Sequence, residues 1–460
     1  TQDFDIKQYG FRLGGPIIKN KLFFFANAEI ERRTDPATQF TALRDGQTVG
    51  GTISRVRASD LDQLRQTLIS RFNYDPGAYE GFNFNTQSDK ATLKLDYNMD
   101  VKNRLSVRYN YLKSSRDVES SASGAFSGRT NNGFSMAFEN TNYVINNDIH
   151  SIIAEHNYLG KGFTNKVIGG FTANRDYRSS KGGIFPLVDI LDGGRNYTAF
   201  GYEPFTPNNI LDTDTWQLQN NFTYYMKNNT ITAGINFEAF EFRNTFTPTY
   251  YGQFVYNSLQ DFYNDIDADP NNNPTLRRYV KTSSNLAGGA LPTATTRARQ
   301  IGFYLQDEID LGDKLKVTVG LRADIPSFDN TALENKEVNE FTFNDEFGNP
   351  LKVNTAQLPK TSVLVSPRIG FNYDVMGDRS IQFRGGTGFF TGRPAFVWLS
   401  NQVGNNGILT GSVNEDNTRN RYNFSPDVNK YNTTPNPGGP APTYGLAMVD
   451  PNFKFPQVWR

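Results

Sequence analysis

The sequence predicts an all-β protein, an antiparallel up-and-down transmembrane β-barrel present in part, with long loops at one end. Three observations predict it. Apolar and polar residues alternate over long stretches, as in strands whose two faces meet different solvents. The alternating stretches run to roughly 11–18 residues, whereas soluble strands average about 5–6 and a tilted membrane-spanning strand needs about 9–11. The connections between them are alternately very short and very long, which is the rhythm of a membrane barrel.

The elements follow in order. Strands are expected near 5–17, 20–33, 87–100, 104–117, 142–159, 164–179, 211–227, 229–245, 297–311, 314–326, 366–376 and 380–391, about twelve in all. Ala91, Leu93, Leu95, Tyr97 and Met99 alternate with Thr92, Lys94, Asp96 and Asn98. Leu105, Val107, Tyr109 and Tyr111 follow the same rule, as do Trp216, Leu218, Phe222, Tyr224 and Met226. Leu315, Val317, Val319 and Leu321 share one face, expected to meet lipid; Lys316, Thr318 and Arg322 share the other, expected to meet a wet lumen with Lys94, Asp96, Arg108, Glu308 and Arg384. Tyr109, Tyr111, Tyr224, Tyr225, Phe240 and Phe242 lie towards strand ends and read as an aromatic girdle. Short turns fall at Asn20-Lys21, Asp100 to Asn103, Gly160 to Thr164, Lys227-Asn228, Gly312-Asp313 and Gly377-Asp378. Long polar segments, 34–86, 180–210, 246–296, 327–365 and 392–460, lie between the hairpins and are expected outside the cell. The first holds a predicted helix, capped by Ser59 with Asp62 three residues on and an apolar stripe of Leu61, Leu64, Leu68 and Phe72. A second helix is expected from Ser258 to Ile266. Residues 414–443, rich in Asn, Pro and Gly, read as a mobile loop.

Composition narrows the function. The 460 residues carry 47 Lys+Arg and 47 Asp+Glu, so no basic excess exists to neutralise phosphates, and nucleic acid is not an expected partner. With 0 Cys, disulfide frameworks, thiolate catalysis and Cys-ligated zinc are excluded. Mean hydropathy is −0.57, and no apolar run approaches the length of a transmembrane helix, a test to which a β-barrel is blind.

Few motifs carry chemistry. Arg384-Gly385-Gly386-Thr387-Gly388 has the glycines of a phosphate loop but lies inside an alternating strand, where glycine marks a bend or close backbone approach. Asp265, Asp267 and Asp269 open like a calcium loop; Pro270 replaces the required Gly and Leu276 the closing Glu, which excludes an EF-hand and leaves a looser calcium site as the metal candidate. His150 and His156 share a strand face about 20 Å apart, too far to hold one metal together. The Asn-x-Thr sequons at Asn196, Asn221, Asn229 and Asn432 include one in mid-strand, Asn221, and read as chance. No catalytic set and no cofactor site is indicated.

The stretch Tyr9-Gly10-Phe11-Arg12-Leu13-Gly14-Gly15-Pro16-Ile17-Ile18-Lys19-Asn20-Lys21-Leu22-Phe23-Phe24-Phe25 resembles the early barrel hairpin of TonB-dependent outer-membrane receptors of the Oar-like kind, common in Bacteroidetes. Asp75-Pro76-Gly77-Ala78-Tyr79-Glu80-Gly81-Phe82, Ser366-Pro367-Arg368-Ile369-Gly370-Phe371 before Gly388-Phe389-Phe390-Thr391-Gly392-Arg393-Pro394, and Phe455-Pro456-Gln457-Val458-Trp459-Arg460 extend the resemblance along the chain. It implies a barrel of 22 strands, filled by an N-terminal plug that a TonB-binding segment precedes. Against that pattern residues 1–460 form one barrel domain, about twelve strands, lacking plug, TonB box and C-terminal strands. The implied role is energy-coupled passage of an extracellular ligand of unknown identity through the outer membrane of a Gram-negative bacterium, without enzymatic activity. The implied partners are membrane lipid, the plug and TonB. A passive porin or adhesin-like barrel is the first alternative, and a secreted glycan-active β-rich enzyme the second. A sheet of this kind leaves two unpaired edges, each backbone group costing several kcal/mol in lipid, so the sheet alone is expected to be open.

Overall fold

The computed structural model describes residues 4–267, 269, 276–417 and 421–460. Alternation dictates its main element, a 13-stranded antiparallel sheet in which each wall strand pairs with the next. The strands are Asp5–Ile18, Leu22–Pro36, Asn83–Asn98, Asn103–Val118, Tyr143–Leu159, Phe163–Ser180, Ile210–Tyr225, Asn229–Thr245, Thr293–Leu311, Leu315–Phe328, Leu364–Asp374, Gln382–Thr391 and the short Gln457–Trp459. All twelve expected strands are present, and the closing Gln-Val-Trp stretch adds the thirteenth. The sheet is curved and open. Asp5–Ile18 and Gln457–Trp459 are its edges.

Register sorts the side chains. Ile152, Phe171 and Trp216 are cross-strand neighbours. So are Leu218, Phe237 and Ile301, and Leu305, Leu321 and Pro367. These rows make a continuous apolar face whose members are open to their surroundings, Leu305 at 56% and Leu321 at 54% exposure. An apolar face of this extent on a folded wall needs an apolar solvent. The opposite face carries Gln219, Asn221, Tyr304, Gln306, Arg322 and Arg368 and curves around a concavity of about 780 Å³. Lys316 and Arg322 lie on that concave face, in register with Asp310 and Tyr304, and the expected orientation of Leu315 to Arg322 holds.

The long connections do not behave as separate loops. They fold into a cap at one end of the wall. Its centre is a six-stranded sheet, in spatial order Thr410–Asp416, Leu276–Ser284, Gln253–Tyr256, Leu187–Asp192, Arg195–Phe200 and Met136–Ala137. Two of its pairings are parallel, joining segments from different loops. The helix Ala58–Phe72 packs here because Leu61, Leu64 and Leu68 recur on one stripe; all three are fully buried. Its cap differs from expectation. Arg57, not Ser59, is the N-cap and makes no side-chain bond, while Ser59 lies inside the first turn. The second helix, Leu259–Ile266, matches: the Ser258 hydroxyl accepts from the Asp261 N–H at 3.1 Å.

Of the stretch 414–443, expected to be a mobile loop, residues 418–420 lie outside the described residues, and parts of the remainder belong to the same cap. Thr410–Asp416 pairs along the strand Leu276–Ser284. Phe424 and Tyr431 pack on the aromatic core, which gives the chain the burial that composition alone hid.

Candidate functional site

The candidate site is the concave wall and its mouth beneath the cap. At the wall's centre, Tyr304 donates its hydroxyl to the Asn221 side-chain Oδ1 and accepts from Gln219 Nε2, the latter at 3.1 Å. The Arg322 guanidinium lies 5.3 Å from the Tyr304 ring centroid and bonds Asp324 at 2.7 Å. Ion pairs continue along the same face: Lys90 to Glu29 at 2.8 Å, Lys94 to Asp96 at 2.8 Å, Lys166 to Glu155 at 3.0 Å and Lys316 to Glu308 at 3.5 Å. Register places Lys94 beside Arg108, and Arg384 beside Asn372, whose other neighbour is Lys316. The expected lumen residues therefore share one face. Among the described residues this face is a surface of hydrogen bonds and ion pairs.

The mouth is apolar. Phe240 and Phe242 lie on the concave face, buried with Ala298, and correct the girdle reading. Phe396 covers both, its ring 5.2 Å from Phe240 and 4.9 Å from Phe242. Tyr225 is also corrected: it lies on the concave side, its hydroxyl 3.2 Å from Thr164 Oγ1. Sequence reasoning missed Phe396 because it sits outside any periodic stretch. The signal available was an apolar cluster, Phe396, Val397, Trp398 and Leu399, in an otherwise polar segment.

The cap holds buried ionic groups. Arg129 and Asp189 are both fully buried and bonded at 2.8 and 2.9 Å, and Asp189 also accepts from Gln253 at 2.7 Å and Asn196 at 3.2 Å. Lys281 is 1% exposed. Its ammonium donates to the carbonyls of Tyr250 and Val428, each at 2.7 Å, and burial lowers its pKa to about 8. Glu203 accepts from Thr206 at 2.7 Å and the Phe205 N–H at 2.8 Å, and burial pushes its carboxyl above the usual range.

Of the calcium candidate, Asp265, Asp267 and Asp269 are described, while residues 268 and 270–275 lie outside the described residues. Asp265 turns into the cap, accepting from the Tyr256 hydroxyl at 2.5 Å and the Phe424 N–H at 2.8 Å; burial raises its pKa. Asp267 accepts from the Asp269 N–H at 2.9 Å. Among the described residues no three His, Asp or Glu gather as a metal-binding set. His150 bonds Tyr109 at 2.7 Å, and His156 bonds Asn103 at 3.1 Å, each on its own. Gly386 and Gly388 permit close strand approach: a Cβ would meet Ile369 O at 2.9 Å and Pro367 O at 2.8 Å.

Comparison with known proteins agrees with this geometry. A family model described as an outer membrane beta barrel domain matches residues 1–460. A comparison with curated proteins finds no match. Among solved structures, the outer membrane transporter YddB from Escherichia coli is similar over 91% of this chain and 42% of its own, at 12% identity and a TM-score of 0.52. The ferric yersiniabactin uptake receptor FyuA from Yersinia pestis is similar over 84% and 45%, at 11% identity and 0.43. A mutant of the ferric enterobactin receptor PfeA from Pseudomonas aeruginosa is similar over 88% and 47%, at 12% identity and 0.46. The chain thus spans less than half the length of each of these structures.

Proposed function

We propose, from the premise that the chain belongs to the outer membrane β-barrel domain family, that it is the wall and external cap of a TonB-dependent receptor of the Oar-like kind. In the whole protein, a plug fills the concave face, TonB supplies energy from the inner membrane, and an extracellular ligand passes inward. The observation that carries this reading is the division of the wall: apolar outward rows, a polar concave face, and long connections gathered over one mouth. A passive channel has no need of a packed cap over its lumen; a gated receptor does. The fold shared with a transporter supports passage rather than catalysis.

The test is in vivo crosslinking of the full receptor to TonB, paired with liposome swelling in arabinose. A TonB crosslink and no swelling are expected. Free swelling without a crosslink would establish the passive porin in its place.

A further inference from the structure

The two ends of the wall meet the membrane differently. At the short-turn end the outward apolar rows run down to the turns themselves. Leu311, Leu315, Tyr373 and Phe383 are cross-strand neighbours in the last row, and so are Leu22, Tyr97 and Leu105. At the cap end the strands continue beyond Trp216, and their outward positions include Arg175, Asp212, Asp214 and Arg243. Those charges cancel locally: Arg175 bonds Asp214 at 2.6 Å and Arg243 bonds it at 2.9 Å.

The short turns carry charge that is not cancelled. Six of them join the hairpins, at 19–21, 99–102, 160–162, 226–228, 312–314 and 375–381. Each holds a cation: Lys19 and Lys21 in the first, then Lys102, Lys161, Lys227, Lys314 and Arg379. All seven are exposed. Wall lysines above them pair with carboxylates, Lys94 with Asp96 and Lys166 with Glu155, whereas none of the seven forms an ion pair among the described residues. The same turns hold three aspartates, Asp100, Asp313 and Asp378. Two of these bind their own loops: Asp100 accepts from the N–H groups of Lys102 and Asn103 at 2.7 and 2.8 Å, and Asp378 from that of Ser380 at 2.9 Å. The chain as a whole is neutral, so this rim is a local excess of positive charge. Apolar side chains stand beside the cations. Val101 is 87% exposed next to Lys102, Met226 is 45% exposed next to Lys227, and Met376 is 60% exposed in the turn of Arg379.

We propose that the six turns form a cationic collar that binds the phosphates of anionic phospholipid, such as phosphatidylglycerol, in the adjoining leaflet. A long aliphatic stem ending in an ammonium, beside an exposed apolar side chain, suits the boundary where acyl chains meet phosphates. An acidic soluble protein would meet the cations but leave Val101, Met226 and Met376 in water; a lipid satisfies both. Each lysine close to an anionic surface adds attraction that fades within a Debye length, so a ring of them selects among lipids without a shaped pocket. Assignment of the collar to the inner leaflet rests on the external cap of the reading above. The lipid preference itself does not.

The test uses the full receptor reconstituted in vesicles of phosphatidylglycerol and phosphatidylcholine in equal parts. One lipid or the other is brominated on its acyl chains, so the surface charge stays constant. The reporter is Met226→Cys carrying an apolar fluorophore, and residues 1–460 contain 0 Cys to compete with it. Quenching at 226 should show a preference for phosphatidylglycerol of about fivefold, which is what one lysine near an anionic surface is worth. The preference should fall towards one in about 1 M salt, where the screening length is about 3 Å. It should fall likewise when Lys102→Gln, Lys161→Gln, Lys227→Gln and Lys314→Gln are combined. A label at Ala239→Cys, outward beside Trp216 at the cap end, should show no preference. Equal quenching by the two lipids at 226 would overturn the collar. So would a preference that survives the four substitutions in a protein with unchanged heat-modifiable mobility, or the same preference at 239. The salt dependence is read on unaltered lysines and decides the matter if the fourfold variant does not assemble. The assay needs neither TonB nor a transported ligand, so a failed TonB crosslink with an intact lipid preference counts against the receptor reading alone.

Discussion

Tyr304 lies over Gly234, its ring occupying the space that a Cβ at position 234 would need. The absent side chain lets the tyrosine lie against the wall and reach Asn221. A glycine in mid-strand is otherwise a cost, and here it is set by close approach. Gly234→Val should displace Tyr304 and unseat Arg322 from its ring, destabilising the wall by about 1–3 kcal/mol, the range for overpacking. The temperature at which the full receptor loses its folded gel mobility should fall, and Gly234→Val combined with Tyr304→Ala should recover part of the loss.

Leu305 and Gln306 are adjacent and face opposite solvents. Leu305 is in the apolar rows at 56% exposure, and Gln306 lines the concavity. Lys on a lipid face costs about 2–4 kcal/mol at mid-membrane, less near its boundaries. Leu305→Lys should therefore reduce assembled receptor in outer-membrane fractions, while Gln306→Lys should assemble normally. The reverse outcome would mean that the strand register is off by one.

How much of this could be read beforehand depends on the physics of each part. A period of two recurs in most wall strands, and it is regular from Leu315 to Arg322, whose faces are legible in the sequence; it is weaker over Leu22–Pro36, Tyr143–Leu159 and Phe163–Ser180. The cap has no such period. Val188, Ile190 and Tyr256 are buried on both sides in short strands whose partners come from distant loops, and nothing local encodes a parallel pairing between them. Phe240 and Phe242 sat at a strand end, where the girdle explanation was the natural one; only Phe396, from another segment, turns them into a mouth. The acidic spacing of Asp265, Asp267 and Asp269 is visible in a sequence, whereas the bond from the buried Tyr256 hydroxyl to Asp265 is not.

Arg129 and Asp189 tie the segment after the fourth wall strand to the cap sheet. Removing one member leaves a buried charge without its partner, which costs about 3–5 kcal/mol. Asp189→Ala should make the cap susceptible to protease while the wall keeps its heat-modifiable mobility. Arg129→Met with Asp189→Leu should restore much of the resistance, since no unpaired charge then remains. Equal damage in the single and double variants would show that the pair matters for its shape rather than its charge.

Lys281 gives the cap a pH dependence whose sign follows from burial. Its pKa in the folded chain is lowered to about 8, against about 10.4 for an exposed lysine. Between those values the unfolded chain holds a proton that the folded chain has released. Stability must therefore rise with pH across that window, and the penalty for burying the ammonium is fully present below about pH 8. Burial raises the pKa values of Tyr256 and Tyr279, so they favour the folded state less once unfolded tyrosines ionise near pH 10, and this sets the useful upper limit. From pH 8 to 9.5 the denaturant midpoint of cap unfolding should increase by an amount equivalent to about 1–2 kcal/mol. Lys281→Met keeps the bulk and removes the titration. Its midpoint should stay flat over the same interval, and a slope equal to that of the unaltered protein would assign the effect to another group.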